Sequence, residues 1–188
     1  KTFHEDLDLN FVRFFNLNQE AQRDHIPFLD ACQKNQISVI LPLDFWVQNV
    51  DGANWPDPFQ GLVIDLITTL GPHPAVVAWQ LGNELSGSVN AGKIATIFDL
   101  LVKHDVNKKP VTSALRLDFF PDFASTIKDA IVAKGLQTDY TNLWFQAVNI
   151  YPPQGSVVAD ALVNLQLIVN TTWPASDFAD QPFLVSEY

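Results

Sequence analysis

Residues 73–84, HPAVVAWQLGNE, carry an apolar, β-rich run straight into an amide and a carboxylate, Asn83 and Glu84. Residues 182–188, PFLVSEY, do the same with Glu187. Two carboxylates at strand ends are the equipment for cleaving a glycosidic bond with retention, which needs one proton donor and one nucleophile with carboxyl groups about 5–5.5 Å apart. For Glu84 the competing reading is a surface charge or a charge at a helix start. The apolar strand before it, the glycine at 82 and the adjoining amide weigh against that. Glu187 has a competing reading as the ion-pair partner of a core arginine such as Arg13. Trp46 and Trp55 are candidate platforms for sugar rings, whose C–H faces are apolar, with Trp144 and Tyr188 as further candidates, although most aromatic side chains serve the core. Trp79, inside its strand, reads as packing. Asp44 and Asp118 fall at strand ends, where each either binds hydroxyl groups or is solvated.

Six strand-like segments recur at 10–17, 37–43, 76–81, 111–117, 144–150 and 183–186. Helix-like segments lie between them at 19–35, 59–70, 91–105, 124–134 and 157–170. In the second, Leu66, Ile67 and Leu70 share a face, as do Ile94, Ile97, Phe98, Leu101 and Val102 in the third, through spacings of three and four. Strands alternating with amphipathic helices predict a parallel α/β sheet, because parallel strands need a crossover and the helix supplies it. The near-continuous apolar run ISVILPL fits a strand buried on both faces. Prolines mark the loops without a low-complexity linker, so residues 1–188 are expected to form one domain. The segments 44–60 and 151–156 are expected as loops on the carboxyl face of the sheet, where barrel enzymes place their chemistry.

Asn83-Glu84 after HPAVVAWQLG, the NIYPP of residues 149–153 and the SEY that closes the chain resemble the retaining (β/α)8 glycosidases of clan A. DLNFVRFFNL (8–17) resembles the second barrel strand of that clan. The resemblance implies a TIM barrel, present as an incomplete segment covering strands two to seven. It also implies Glu84 as acid/base at the end of strand four, Asn83 as donor to the sugar 2-hydroxyl, and Glu187 as nucleophile at the end of strand seven. Arg13 would be the strand-two arginine near that nucleophile, and Tyr151 would aim its hydroxyl at it from strand six. The layout is most similar to fungal-type β-1,3-glucanosyltransferases, with β-galactosidase, β-mannosidase and endoglucanase branches as alternatives. The implied activity is hydrolysis or transglycosylation of a β-linked oligo- or polysaccharide by double displacement, outside the cell or at the cell wall. The reading from a different class is an inactive barrel serving as a structural or carbohydrate-binding extracellular glycoprotein.

Composition narrows the field. Hydrophobic residues make up 47% of the 188 and charged residues 17%, which is the balance of a globular chain with a sizeable core. A complete (β/α)8 barrel takes about 250 residues, so the chain reads as an internal piece of a longer polypeptide whose missing strands come from the rest of that polypeptide or from a neighbouring chain. A net charge of −10 argues against nucleic acid, whose binding depends on Lys and Arg. No apolar run is long enough to span a bilayer, and no signal-peptide pattern opens the sequence. His4, His25, His73 and His104 lack ligand spacing, and the single cysteine, Cys32, reads as a buried thiol, so no metal is expected. Without a glycine-rich phosphate loop, no nucleotide cofactor is expected either. Asn170-Thr171-Thr172 is a glycosylation sequon, relevant only in a secretory setting.

Overall fold

The structure is a computed structural model that describes residues 10–13, 24–116, 120, 122–151, 163, 166, 170 and 181–187, without the side chains of residues 183 and 187. Strands β1 (Phe11–Arg13), β2 (Ser38–Pro42), β3 (Val76–Asn83), β4 (Val111–Arg116), β5 (Gln146–Asn149) and β6 (Phe183–Glu187) form one sheet in the order β1-β2-β3-β4-β5-β6. Every neighbouring pair is parallel. Helices with described bounds are α1 (Ile26–Lys34), α2 (Asp44–Asn49), α3 (Phe59–Leu70), α4 (Ser88–His104), α5 (Asp122–Ala133) and α6 (Gln137–Leu143).

A sheet whose strands advance always in one direction, through right-handed crossovers, carries its helices on one face. The burial pattern agrees. Val39, Leu41, Trp79, Leu81, Val111, Leu115 and Val148 join the helices in one apolar cluster. Ile40, Ala78, Ala114 and Ala147 are also buried but stand outside that cluster, on the opposite face. Helix α3 shows how the packed face is made: Val63, Leu66, Ile67 and Leu70 are its buried residues, each stabilising by about 1.5–3 kcal/mol through burial.

The helix-free face is concave. Arg13 on β1 hydrogen-bonds to Gln80 and Asn83 on β3, across β2, and Asn149 on β5 reaches Asn83, across β4. Strands two apart in a flat sheet lie about 9.5 Å from each other, so side chains at bonding distance require the sheet to curl. The result is a half-barrel, consistent with part of a TIM barrel. At its amino-terminal end the concave face holds a cavity of about 450 Å³ lined by Phe11, Ile40, Val77, Ala78, Phe145 and Leu184 among others.

Several expected boundaries shift. The segment 44–60 is not wholly a loop, because α2 follows β2 after a single residue. Helix α1 starts at Ile26, where Asp24 Oδ1 accepts the Ile26 N–H and Pro27 occupies the first turn; residues 19–23 lie outside the described ones. Strand β5 starts at Gln146, since Trp144 makes only an isolated bridge to Val111. Helix α6 had no expected counterpart. The first strand is described only over Phe11–Arg13, and the segments expected as a helix at 157–170 and as a loop at 151–156 lie almost wholly outside the described residues.

Candidate active site

Strand β3 delivers the site through an irregular exit. Side chains on a regular strand alternate faces, so Gln80 and Asn83, three apart, should point oppositely. Gly82 breaks the alternation with φ +109°, and the register with β4 shifts between Gln80 and Asn83. Both side chains then meet the same guanidinium: Arg13 Nη1 donates to Gln80 Oε1 at 3.0 Å and to Asn83 Oδ1 at 3.0 Å. The next residue, Glu84, takes a left-handed backbone with φ +56°, and its N–H donates to Ala114 O at 2.8 Å. A non-glycine residue in that region carries strain on the order of 1 kcal/mol, and such strain gathers at functional sites.

Asn149 ties the site together. Its Nδ2 donates to Glu84 Oε1 at 3.0 Å, to Asn83 Oδ1 at 3.2 Å and to the Tyr151 hydroxyl at 3.3 Å, and Ser186 Oγ donates to its Oδ1 at 2.6 Å. The Tyr151 hydroxyl in turn donates to Glu84 Oε1. Arginine has no acceptor and a carboxylate no donor, so the amide orientations of Asn83 and Asn149 follow from their partners. With Oδ1 of Asn83 taken by Arg13 and Asn149, its Nδ2 is left as a donor with no partner among the described residues. Asn149 lies in the NIYPP segment but is not among the site residues expected from the sequence. Asn149 ends strand β5 and is 1% exposed, so its carboxamide needs the partners that the curl of the sheet brings to it.

The expected site residues fall out unevenly. Arg13, Asn83, Glu84 and Tyr151 come together. The Tyr151 hydroxyl, expected toward Glu187, lies on Glu84, and any contact of Tyr151 or Arg13 with the Glu187 carboxyl lies outside the described residues. For Glu187 the backbone alone is described, and the register puts its Cα opposite that of Asn149, the residue that holds Glu84. Trp46 is corrected from sugar platform to core: it is 2% exposed, with Phe45 and Phe59 edge-on to its ring at 5.1 and 5.3 Å. Trp144 is likewise buried, stacked on Tyr140 and edge-on to Phe98. Trp55 is half-buried against the same core and keeps part of its surface open. Trp79 packs as expected, its Nε1 donating to Asp105 Oδ2 at 2.9 Å.

Asp44 is not a solvated strand-end carboxylate. It is 6% exposed, its Oδ1 has no hydrogen-bond partner among the described residues, and burial pushes its pKa up to about 6. The Gly82 backbone, the Arg13 charge and the Gln80 amide act in the opposite sense without offsetting the burial. Asp118 and Tyr188 lie outside the described residues. His73 is structural, accepting the Ala75 N–H and meeting Asp30 at 3.2 Å. Cys32 is buried and free, and burial raises its pKa. Among the described residues no group of three or more His, Cys, Asp or Glu is placed to hold a metal ion. No helix among them is long and apolar enough to cross a membrane.

No protein-family model matches the chain, and no curated protein matches it. Solved structures do. The β-glucuronidase from Ruminococcus gnavus in complex with D-glucaro 1,5-lactone matches with a TM-score of 0.58 over 94% of this chain, at 14% identity. The apo structure of β-glucuronidase from that organism matches with a TM-score of 0.48 over 95% of the chain, at 12% identity. The chain spans 29% of the length of the first and 37% of the second. At such identity the likeness is one of fold, and the fold it shows is that of a glycoside-hydrolase-like barrel.

Proposed function

We propose that this chain carries the catalytic half of a secreted, retaining β-glycoside hydrolase or transglycosylase, acting by double displacement on a β-linked polysaccharide, with β-1,3-glucan as the first candidate. The observation that carries the reading is Glu84 itself: a carboxylate in a strained backbone conformation at a strand exit, held by Asn149 and Tyr151 beside an amide whose Nδ2 has no partner among the described residues. In this reading Glu84 protonates the glycosidic oxygen while Glu187 attacks the anomeric carbon, and the aglycone leaves. Glu84, now ionised, then takes a proton from water or from an acceptor hydroxyl, which displaces Glu187 from the sugar. Asn83 Nδ2 donates to the 2-hydroxyl, a contact that strengthens toward the oxocarbenium-like transition state. Trp55 offers an aromatic surface to a neighbouring sugar. Barrel strands beyond the six described would come from the rest of the polypeptide or from a partner chain.

The test uses the whole polypeptide and an activated β-glycosyl fluoride. With Glu84→Gln, a substrate whose leaving group needs no proton still glycosylates Glu187, and the adduct accumulates for want of a base, visible by mass spectrometry. With Glu187→Gln no adduct forms, because an amide is not a nucleophile. Wild-type turnover with no adduct in either variant overturns the roles. An inert wild type that still binds β-glucan favours the carbohydrate-binding reading.

A further inference from the structure

Two buried atoms near Arg13 lack hydrogen-bond partners among the described residues and are chemically complementary: the acceptor Asp44 Oδ1 and the donor Gln80 Nε2. Their residues are 6% and 1% exposed, and buried polar groups of native proteins are seldom left unserved. Gln80 stands between two charges. Its Oε1 accepts from Arg13 Nη1, and its amide favours the anion of the Asp44 carboxyl. The same Nη1 donates to Asn83 Oδ1. The groups therefore run in series from Asp44 through Gln80 and Arg13 to Asn83, the amide beside Glu84. We propose that Gln80, seated beside buried Asp44, is a positioning residue that sets the Arg13 guanidinium and, through it, the direction of the Asn83 amide. The proposal rests on the glycosidase reading for its consequence in catalysis, but not for its geometry.

Two features support it. The bulge at Gly82 is what brings residues 80 and 83 to one guanidinium, so the strand departs from regular pairing at the place where the series needs it. Asp44 is also an acid at a place where burial opposes its ionisation, and the charged group that favours its anion is Arg13.

The experiment has two arms, both on the whole polypeptide. In the first, the side-chain carboxyl of Asp44 is followed by carbon NMR through a pH titration in the parent and in Gln80→Leu. Gln80 favours the anion, so its loss should move the titration to higher pH; an unmoved titration overturns the proposal whether or not the protein turns over sugar. In the second, aryl β-glycoside kinetics should show kcat lowered about 10- to 100-fold in Gln80→Leu with KM little changed, as for a misplaced transition-state contact. Gln80→Glu keeps the acceptor for Arg13 and should recover kcat near pH 5, where it can share a proton with Asp44, but not near pH 8. Unchanged kcat in Gln80→Leu, or a Gln80→Glu profile parallel to that of the parent, overturns the proposal. If Gln80→Leu does not fold, the Gln80→Glu profile decides. A parent inert on every glycoside sinks the glycosidase reading alone and leaves the titration to judge this one.

Discussion

Glu84 depends on neighbours that are themselves fully committed, and this makes single substitutions informative. Asn149 serves Glu84, Asn83, Tyr151 and Ser186 at once from a position 1% exposed. Asn149→Ala leaves several of these groups short of a partner, so it should destabilise by about 1–3 kcal/mol and lower kcat, read by urea unfolding and by turnover of an aryl β-glycoside. Asp44 gives a pH-dependent outcome. Its folded pKa is about 6 against an ordinary 3.8, so the folded state binds the proton more tightly than the unfolded chain. That contribution is complete below pH 4 and is lost as pH rises through about 6, a change on the order of 3 kcal/mol. Asp44→Asn should abolish the decline, leaving a variant more stable than the parent at neutral pH; urea midpoints at about pH 4.5 and 7.5 measure it. At this scale the Asn83-Glu84 pair was legible because an apolar strand ran into it. Asn149 and Gln80 were not, since a carboxamide within a strand acquires meaning only when the curl of the sheet brings its partners in.

The elements explain why. Strand β3 was readable as apolar from 76 onward, but its last turn depends on Gly82, whose effect on side-chain direction no alternation pattern reveals. A Cβ there would meet Leu85 Cδ1 at 2.6 Å while the backbone holds φ +109°. Gly82→Ala should therefore cost at least about 1–2 kcal/mol from the backbone alone, and should separate Gln80 from Asn83, lowering kcat beyond what the loss of stability explains; circular dichroism melting and kinetics on the same preparation test this. Helix α3 was legible to the residue because its buried positions repeat at helical spacing between a proline and a glycine. Helices α2 and α6, of six and seven residues, were not, because so short a segment holds too few turns for a period to show. Trp46 differs from expectation for the same reason: on a loop its ring would be open to a sugar, whereas in α2 it turns into the core.

At the scale of the whole molecule, an all-parallel sheet in sequential order has a concave face that a closed barrel fills with layers of side chains. Here β1 pairs with β2 and β6 with β5, leaving an outer edge on each among the described residues, and unpaired edges invite association. The concave face is small-chained at Ala78, Ala114 and Ala147, and its amino-terminal end opens as the apolar cavity beside Ala78. Alanines at these positions make sense if other side chains must fit against them. This can be tested by enlarging one. In the 188-residue chain, Ala78→Leu projects into the cavity and should be neutral or slightly stabilising. In a longer polypeptide whose further strands close the barrel, the same substitution overpacks an interior layer and should cost about 1–3 kcal/mol. Unfolding both backgrounds in urea gives the comparison. An equal effect in the two would mean that nothing enters the concave face, and the barrel reading of this half-barrel would fall.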